Sequence, residues 1–232
     1  MINGFYAAKS GVKVFQTGLD VNANNIANAN TQGYKAQTAS FTDLIYTSAQ
    51  GADFSVGNGA RLAATALSTE QGGISPDGIS SVSIEGEGFF AIENAQGDTV
   101  YTRSGGFALS SEGNGTYLVM PDGGYVLDSN GGHITVADGG VSAAIQKAGL
   151  FTFPNPDALE AIGNSRYAET NASGQAAADN VSQIKESAYE LSNVDLASEM
   201  TRMMMNQRGV QFNLRMLQTA DELEQVVNNL RT

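Results

Sequence analysis

The chain has 232 residues, no cysteine and one histidine, and its 12 basic and 24 acidic residues give a net charge of −12. Without cysteine there are no disulfides, thiolate zinc sites or thiol nucleophiles, and one histidine excludes histidine-rich metal centres. The acidic balance argues against binding to nucleic acid or to anionic lipid, because both need a basic protein surface. The length is sufficient for one or two domains with a real core.

The first twenty residues do not resemble a cleavable leader, because polar residues interrupt every apolar run. These polar residues are Lys9, Ser10, Lys13, Gln16 and Asp20. No run of 18 apolar residues predicts a membrane span. We therefore expect no membrane insertion, and we expect any export to use a route that cleaves no leader.

Charge and glycine divide the chain into three segments. Residues 1–35 carry three bases and one acid, residues 36–190 carry five bases and 18 acids, and residues 191–232 carry four bases and five acids. The middle segment also holds 22 of the 27 glycines. The acidity and the turn-forming residues therefore belong to the middle, and the two ends follow a different pattern.

The N-terminal segment predicts a long helix with one apolar seam. Its apolar residues recur at steps of three, four and seven, which is a heptad pattern. They are Ile2, Phe5, Ala8, Val12, Phe15, Leu19 and Ile26. Asn3 is a candidate N-cap, and Gly33 is placed to stop the chain beyond the helix.

The C-terminal segment predicts a still longer helix, capped near Ser192 and Asp195. Its seam comprises Leu196, Met200, Met203, Val210, Leu214, Leu217, Ala220, Leu223, Val227 and Leu230. About 35 residues without an internal break would span roughly 50 Å, which is typical of a coiled coil. The methionines at 200 and 203–205 either fill a core or form an adaptable packing surface.

The middle segment predicts short antiparallel strands separated by glycine turns. The candidate strands are 81–84, 89–92, 99–102, 116–120, 125–127, 134–136 and 150–153, with turns at 121–124, 130–132 and 138–140. We therefore predict an α+β fold whose β-domain is inserted between terminal helices that form a coiled-coil-like α-domain. The predicted boundaries are 1–36 for the first helix, 37–78 for a loop-rich connector, 79–180 for the β-domain and 181–232 for the second helix, with 170–179 as a linker.

No motif predicts catalysis, a cofactor or a metal. Residues 86–91 match G-x-G-x-x-A, but a strand follows where a dinucleotide site needs a helix, so a tight turn is the better interpretation. Residues 128–131 resemble the start of a calcium loop, but the later ligands are missing. The carboxylates are scattered, as on a solvated acidic surface. We predict that the protein is not an enzyme.

The two apolar seams predict self-assembly. A pair of helices buries only part of its apolar surface, so the remainder must pack either on one globular core or on other copies of the chain. A head-to-tail contact that does not close produces a helical filament or tube. Five asparagines within residues 22–30 favour the second alternative, because they make a poor helix interior but can fix register between helices. We expect this asparagine segment to become ordered on assembly.

Three motifs resemble one known family. Residues 23–35 read ANNIANANTQGYK and closely resemble the N-terminal signature of bacterial flagellar rod and hook proteins, NNIAN-x-x-T-x-G-[FY]-K. Residues 192–195 (SNVD), with 199–200, 207–208 and 219–222 after them, are similar to the other end of that family. GEGFF at 86–90 and YTRSGGF at 101–107 resemble its shared middle domain.

The resemblance implies an axial component of the flagellar basal body, exported by the flagellar type III apparatus without a cleaved leader. Such proteins form a helical tube with the terminal helices inside, they transmit torque, and they contact adjacent rod and hook proteins. Within the family, residues 57–61 and 70–73 favour a distal rod subunit over a proximal-rod relative or a short hook-type subunit.

The residues predicted to form the assembly interface are Phe5, Val12, Phe15, Leu19, Asn25, Ile26, Leu214, Leu217, Leu223 and Val227. A competing interpretation is a ligand-binding β-domain with helical dimerisation arms. It predicts a small closed oligomer and a concave pocket with convergent polar groups, in place of an open polymer.

Overall fold

The computed structural model describes residues 2–48, 55–76, 81–94, 96–112, 115–136, 140–179 and 181–230. The helices are α1 (Ile2–Ala27), α2 (Gly140–Ile145) and α3 (Leu196–Asn229), with a 3-10 turn at Pro156–Ala158. Within the described ranges, no helix is both long and apolar enough to cross a membrane.

Eighteen strands lie between α1 and α3 in the described part of the chain. They are β1 (Gln37–Asp43), β2 (Tyr46–Ser48), β3 (Ser55–Gly57), β4 (Ala60–Leu67), β5 (Ile74–Pro76), β6 (Val82–Glu85), β7 (Phe89–Glu93), β8 (Thr99–Thr102), β9 (Ala108–Glu112), β10 (Gly115–Val119), β11 (Tyr125–Val126), β12 (Thr135–Val136), β13 (Leu150–Thr152), β14 (Glu160–Gly163), β15 (Arg166–Ala168), β16 (Ala177–Ala178), β17 (Gln183–Glu186) and β18 (Ala188–Glu190). The ten-stranded sheet runs β12-β10-β11-β7-β8-β15-β14, with β9, β13 and β16 at its sides, and its registered pairs are antiparallel.

The fold is therefore α+β, as the sequence predicted. Each of the seven predicted strand runs contains a strand that begins or ends within two residues of the prediction. The sequence missed β9, β14, β15, β17, β18 and the short helix α2, because these elements are only three to six residues long and carry no clear periodic pattern. The side chain of the proposed Asn3 cap lies outside the described part of the structure. The predicted turn residues 138 and 139 also lie outside it.

The chain forms two compact units. The helical unit comprises 1–27, 37–66 and 195–232, and the β-unit comprises 28–36 and 67–194. This division assigns residues 28–36 and 181–194 to the β-unit, whereas the sequence-based boundaries grouped them with the terminal helices.

The core of the β-unit lies on both faces of β7. Phe90 and Ile92 belong to one buried cluster, while Phe89 and Ala91 belong to a second. Side chains alternate between the two faces of a strand, so consecutive apolar residues in β7 supply both clusters. The preceding Gly86 has a φ of +130° and makes the turn predicted for the glycine-rich motif.

Two stretches expected to be loops are more ordered than predicted. In the 37–78 connector, β1 pairs with β4 and β2 with β3 in two separate two-stranded sheets, and of the residues in this stretch threonine favours strands. In the 170–179 linker, Ser173 is fully buried and exchanges hydrogen bonds with Thr170, and β16 pairs with β13. The linker is therefore part of the β-unit.

Candidate assembly surface

The terminal helices pair with each other within one chain. A Cβ added at Gly11 would lie 2.7 Å from Asn213 Oδ1, and one added at Gly18 would lie 2.8 Å from Asn206 Nδ2. On α3, a Cβ added at Gly209 would lie 2.7 Å from the ring of Phe15. The contacting residue numbers fall along α3 as they rise along α1, so the helices run antiparallel and approach closely at glycines.

The face that α1 turns toward α3 differs from the predicted seam. It follows a heptad through Ala8, Gly11, Phe15, Gly18 and Asn22, so only Ala8 and Phe15 are shared with the apolar pattern. The prediction was incomplete here because close packing favours small residues, which a search for large apolar side chains overlooks. Val12, Leu19 and Ile26 are half-buried on the neighbouring flank of α1, because successive residues of a helix are rotated by about 100°.

Asn25, predicted to contact another copy, is fully buried in its own helical unit. Its Nδ2 donates to Gln37 O at 2.8 Å, and Gln37 N–H donates to its Oδ1 at 2.9 Å. Asn22 is also buried and, with its amide suitably oriented, donates to Glu199 Oε2 at 3.1 Å and accepts from Met203 N–H at 3.2 Å. The amides of Asn25 and Asn22 thus bond to buried backbone and carboxylate groups of the same chain, and not to another copy as was expected for Asn25.

The other predicted interface residues remain wholly or partly accessible in a single chain. Phe5, Leu214, Leu223 and Val227 are 41–49% exposed. Phe15 and Leu217 are half-buried, as are Val12, Leu19 and Ile26. The helix pair therefore does not cover its own apolar surface.

A second exposed apolar stripe on α3 was predicted only in part, because Leu223 and Leu230 belong to the predicted seam but Phe212, Met216 and Val226 do not. Its members are Met205, Phe212, Met216, Leu223, Val226 and Leu230, which are 49–82% exposed. At 100° per residue they fall within about 80° of one another, well to the side of the face that meets α1. The signal was present in the sequence as spacings of seven, four and three, but the neighbouring predicted seam obscured it.

The β-unit contains a buried charge cluster of Lys35, Arg103 and Glu190, each no more than 1% exposed. Lys35 Nζ lies 2.7 Å from Glu190 Oε1, and Arg103 Nη1 lies 3.4 Å from Glu190 Oε2. Gly72 N–H also donates to Glu190 Oε1 at 2.9 Å, and the Arg103 guanidinium lies 4.9 Å from the centre of the Phe89 ring. One carboxylate thus compensates two buried cations, and burial lowers the pKa of both.

This charge cluster brings the three resemblance motifs together. Gly33 N–H donates to Glu190 O at 2.9 Å, and a Cβ at Gly33 would lie 2.6 Å from Ser104 N. Asn193 Oδ1 accepts from Ala36 N–H at 2.7 Å. Lys35 and Arg103 stand inside quoted motifs and could have been singled out from the sequence, whereas nothing in the sequence marked Glu190 as their partner.

Tyr167, which contacts Lys35 of the charge cluster, is expected to lower the stability of the β-unit at alkaline pH. Burial raises the pKa of Tyr167, whose hydroxyl accepts from Lys35 N–H at 3.2 Å. A folded-state pKa above the unfolded value of about 10 contributes stability that is complete below pH 10 and lost as the pH rises further. The lowered pKa of Lys35 acts oppositely, since deprotonation relieves its burial cost as the pH rises toward 10.5.

We expect Tyr167→Phe to flatten the loss of β-unit stability between pH 10 and 12, because phenylalanine has no proton to lose. Thermal unfolding followed by circular dichroism at several pH values measures this slope. The variant also loses the hydroxyl acceptor, which costs about 1 kcal/mol at every pH. A slope identical to that of the wild type would show that Tyr167 ionisation does not drive alkaline unfolding.

Among the residues that the structure describes, no group of three or more histidine, aspartate or glutamate side chains could hold a metal ion. The prominent features are thus packing surfaces and a buried ion cluster.

Comparison with known proteins agrees with these features. Residues 5–35 match the family model "Flagella basal body rod protein", residues 83–153 match "Flagellar hook protein FlgE/F/G D1 domain", and residues 185–230 match "Flagellar basal body rod FlgEFG protein C-terminal". The chain is 36% identical over 272 residues to the flagellar basal-body rod protein FlgG of Bacillus subtilis (strain 168), with 100% of both chains covered. The chain belongs to the flagellar basal-body rod protein family.

Other relatives support the same membership. FlgG of Borreliella burgdorferi is 32% identical over 263 residues, covering 100% of this chain and 99% of the relative. The hook protein FlgE of Helicobacter mustelae is 37% identical over 141 residues, but this covers only 55% of this chain and 30% of the hook protein. This rod-family chain is a structural protein of the flagellar basal body, as predicted, and the relatives that match over full length are rod proteins rather than enzymes.

Proposed function

We propose that the chain is the distal subunit of the flagellar rod and that it polymerises through its terminal helices into a torque-transmitting tube. The single observation that carries this proposal is the exposed apolar surface of the helical unit. In a monomer an exposed apolar surface of this kind favours association, and it normally marks a protein interface. The relatives that match over full length are FlgG proteins, which favours the distal rod over a proximal or hook-type position.

The proposed assembly surface has two flanks. One includes Phe5, Val12, Leu19 and Ile26 on α1, with Leu214 exposed on α3, and the other is the Met205–Leu230 stripe of α3. Two different apolar flanks allow each copy to contact two neighbours, which produces an open polymer in place of a closed dimer. This argues against helical dimerisation arms on a ligand-binding domain.

The proposal extends to partners and export. Other copies of the chain and adjacent rod and hook proteins would cover the helical unit, and the β-unit would fold as a separate body in the tube. Family membership supports export through the flagellar type III apparatus to the basal body. The coiled-coil-like α-domain with an inserted β-domain is the architecture that this function requires, and the antiparallel α1–α3 contacts support it.

Leu214→Asp is expected to abolish swimming while leaving the monomer folded. Leu214 is 45% exposed, so an aspartate there stays hydrated in the monomer but loses its water in a packed polymer, at a cost of several kcal/mol. Soft-agar swimming and electron microscopy of basal bodies, in a strain that lacks its own rod subunit, measure the effect.

Leu214→Met is the matched control, because it keeps an apolar side chain of similar volume and is expected to swim normally. Circular dichroism of both purified variants shows whether the monomer is intact. Normal swimming by a well-expressed Leu214→Asp variant would refute the assembly role of this flank.

A further inference from the structure

The C-terminal end of α3 extends beyond the start of α1. At the register set by the Gly11–Asn213 and Gly18–Asn206 contacts, Ile2 at the start of α1 falls level with about residue 222 of α3. Residues 221–230 are accordingly all exposed. The last turns of α3, residues 221–230, therefore form an overhang beyond the helix pair.

The overhang differs in charge from the rest of α3. It carries Asp221, Glu222 and Glu224 and no base up to residue 230, a net charge of −3. Residues 196–220 carry three arginines against Glu199, a net charge of +2. Arg202 lies 3.3 Å from Glu199, whereas Arg208, Arg215 and Glu222 make no ion pair within the described residues.

Exposed apolar side chains also line one side of α3, both on the overhang and in residues 205–216. On the overhang, Leu223, Val226 and Leu230 share one side of the helix, within about 60°, and Glu222 lies one turn from Val226. Farther up the same side lie Met205, Phe212 and Met216, with Arg208 one turn before Phe212 and Arg215 one turn after it. An acidic apolar strip and a basic apolar strip thus occupy the same side of one helix.

We infer that the overhang of one copy docks along residues 205–216 of α3 in the next copy, with Glu222 facing Arg208. This inference rests on the proposed polymeric function and names the contact that propagates it. A second copy is the occupant because both complementary strips belong to this chain. The inferred contact has the two helices parallel, so it is head-to-tail, and a head-to-tail contact of this kind leads to an open filament. Placing Leu223 beside Phe212 shifts neighbouring copies by 11 residues, roughly 17 Å along the helix.

The absence of cysteine allows a clean crosslinking test. In the strain without its own rod subunit, the Phe212→Cys/Leu223→Cys double variant is oxidised mildly and run on a denaturing gel without reductant. The two positions are roughly 17 Å apart along one helix, too far for a disulfide within one chain. We expect a ladder of dimers, trimers and larger species from the double variant, and no disulfide-linked dimer from either single variant.

A charge exchange tests the same contact without cysteines. Arg208→Glu and Glu222→Arg are each expected to reduce swimming, and the combination is expected to restore it, because the pair is re-formed with opposite polarity. Lys147→Glu, the same charge change at an exposed position of the β-unit, is the control and is expected to swim normally.

The outcomes separate this inference from the proposed function. Swimming cells that give no ladder, or single charge variants that swim like the wild type, overturn the docking contact and leave the rod assignment intact. A disulfide-linked dimer from the single Leu223→Cys variant would instead show overhang-to-overhang contact and also overturns it. A wild-type chain that neither assembles nor restores swimming overturns both.

Discussion

Glu190→Gln is expected to destabilise the β-unit by roughly 3–5 kcal/mol, the usual cost of leaving a buried charge without its partner. Glutamine keeps the size of the side chain but removes the charge that compensates Lys35 and Arg103, both of which are 1% exposed. Lys35 can relieve the strain by losing its proton, because burial already lowers its pKa. Arg103 cannot do so at neutral pH, and its Nε and Nη2 already lack hydrogen-bond partners among the described residues.

Hydrogen exchange of the full-length protein, followed by mass spectrometry on peptides from β7 and β8, measures this loss within the β-unit. Faster exchange by two or more orders of magnitude corresponds to the expected cost, since 1.4 kcal/mol is about tenfold. Glu160→Gln is the control, because Glu160 is exposed and forms no ion pair in the described structure, so its exchange is expected to match the wild type. Equal exchange in both variants would show that the cluster contributes little to stability.

Gly33→Ala is expected to destabilise the β-unit nearly as much as Glu190→Gln, through two effects whose costs add. Gly33 has a φ of +63°, which costs an L-residue about 1–2 kcal/mol. Its added Cβ would also lie 2.6 Å from Ser104 N and 2.7 Å from Arg103 C, and these are backbone atoms that cannot turn aside. Overpacking of this kind typically costs a further 1–3 kcal/mol.

Gly131→Ala separates the two contributions. Gly131 has a similar φ of +79°, but an added Cβ there would meet nothing within 4 Å. The same exchange measurement is therefore expected to show only the conformational cost at Gly131 and a larger loss at Gly33. If both variants lose the same stability, the close approach of Gly33 to the YTRSGGF segment has no energetic weight.

The two helix seams show which features of the helical unit hydrophobic patterning can predict. The sequence placed both long helices and identified Leu214, Leu223 and Val227 as residues that the chain would leave uncovered, and the structure exposes them. It could not identify Gly11, Gly18 and Gly209 as the contact points between the helices. Glycine carries no hydrophobic signal, and its value in packing depends on which side chain of the partner helix arrives opposite it.

The buried charge cluster could not be predicted from local sequence patterns. Lys35, Arg103 and Glu190 are far apart in the chain, and a charged residue in a sequence is expected on the surface. Only the folded β-unit brings one carboxylate within 2.7 Å of the lysine and 3.4 Å of the arginine. Asn25 is a similar case, since its amide was expected between copies and is instead bonded to Gln37 of its own chain.

The sequence by itself determined the terminal helices, the seven main strand positions and the family, because hydrophobic periodicity and short motifs are local properties of the chain. The tertiary structure decided which face of each helix is buried, which carboxylate satisfies two buried cations, and which end of α3 is exposed beyond the helix pair. These are properties of register and proximity between distant segments, and they arise only when the packed side chains compete for the same space.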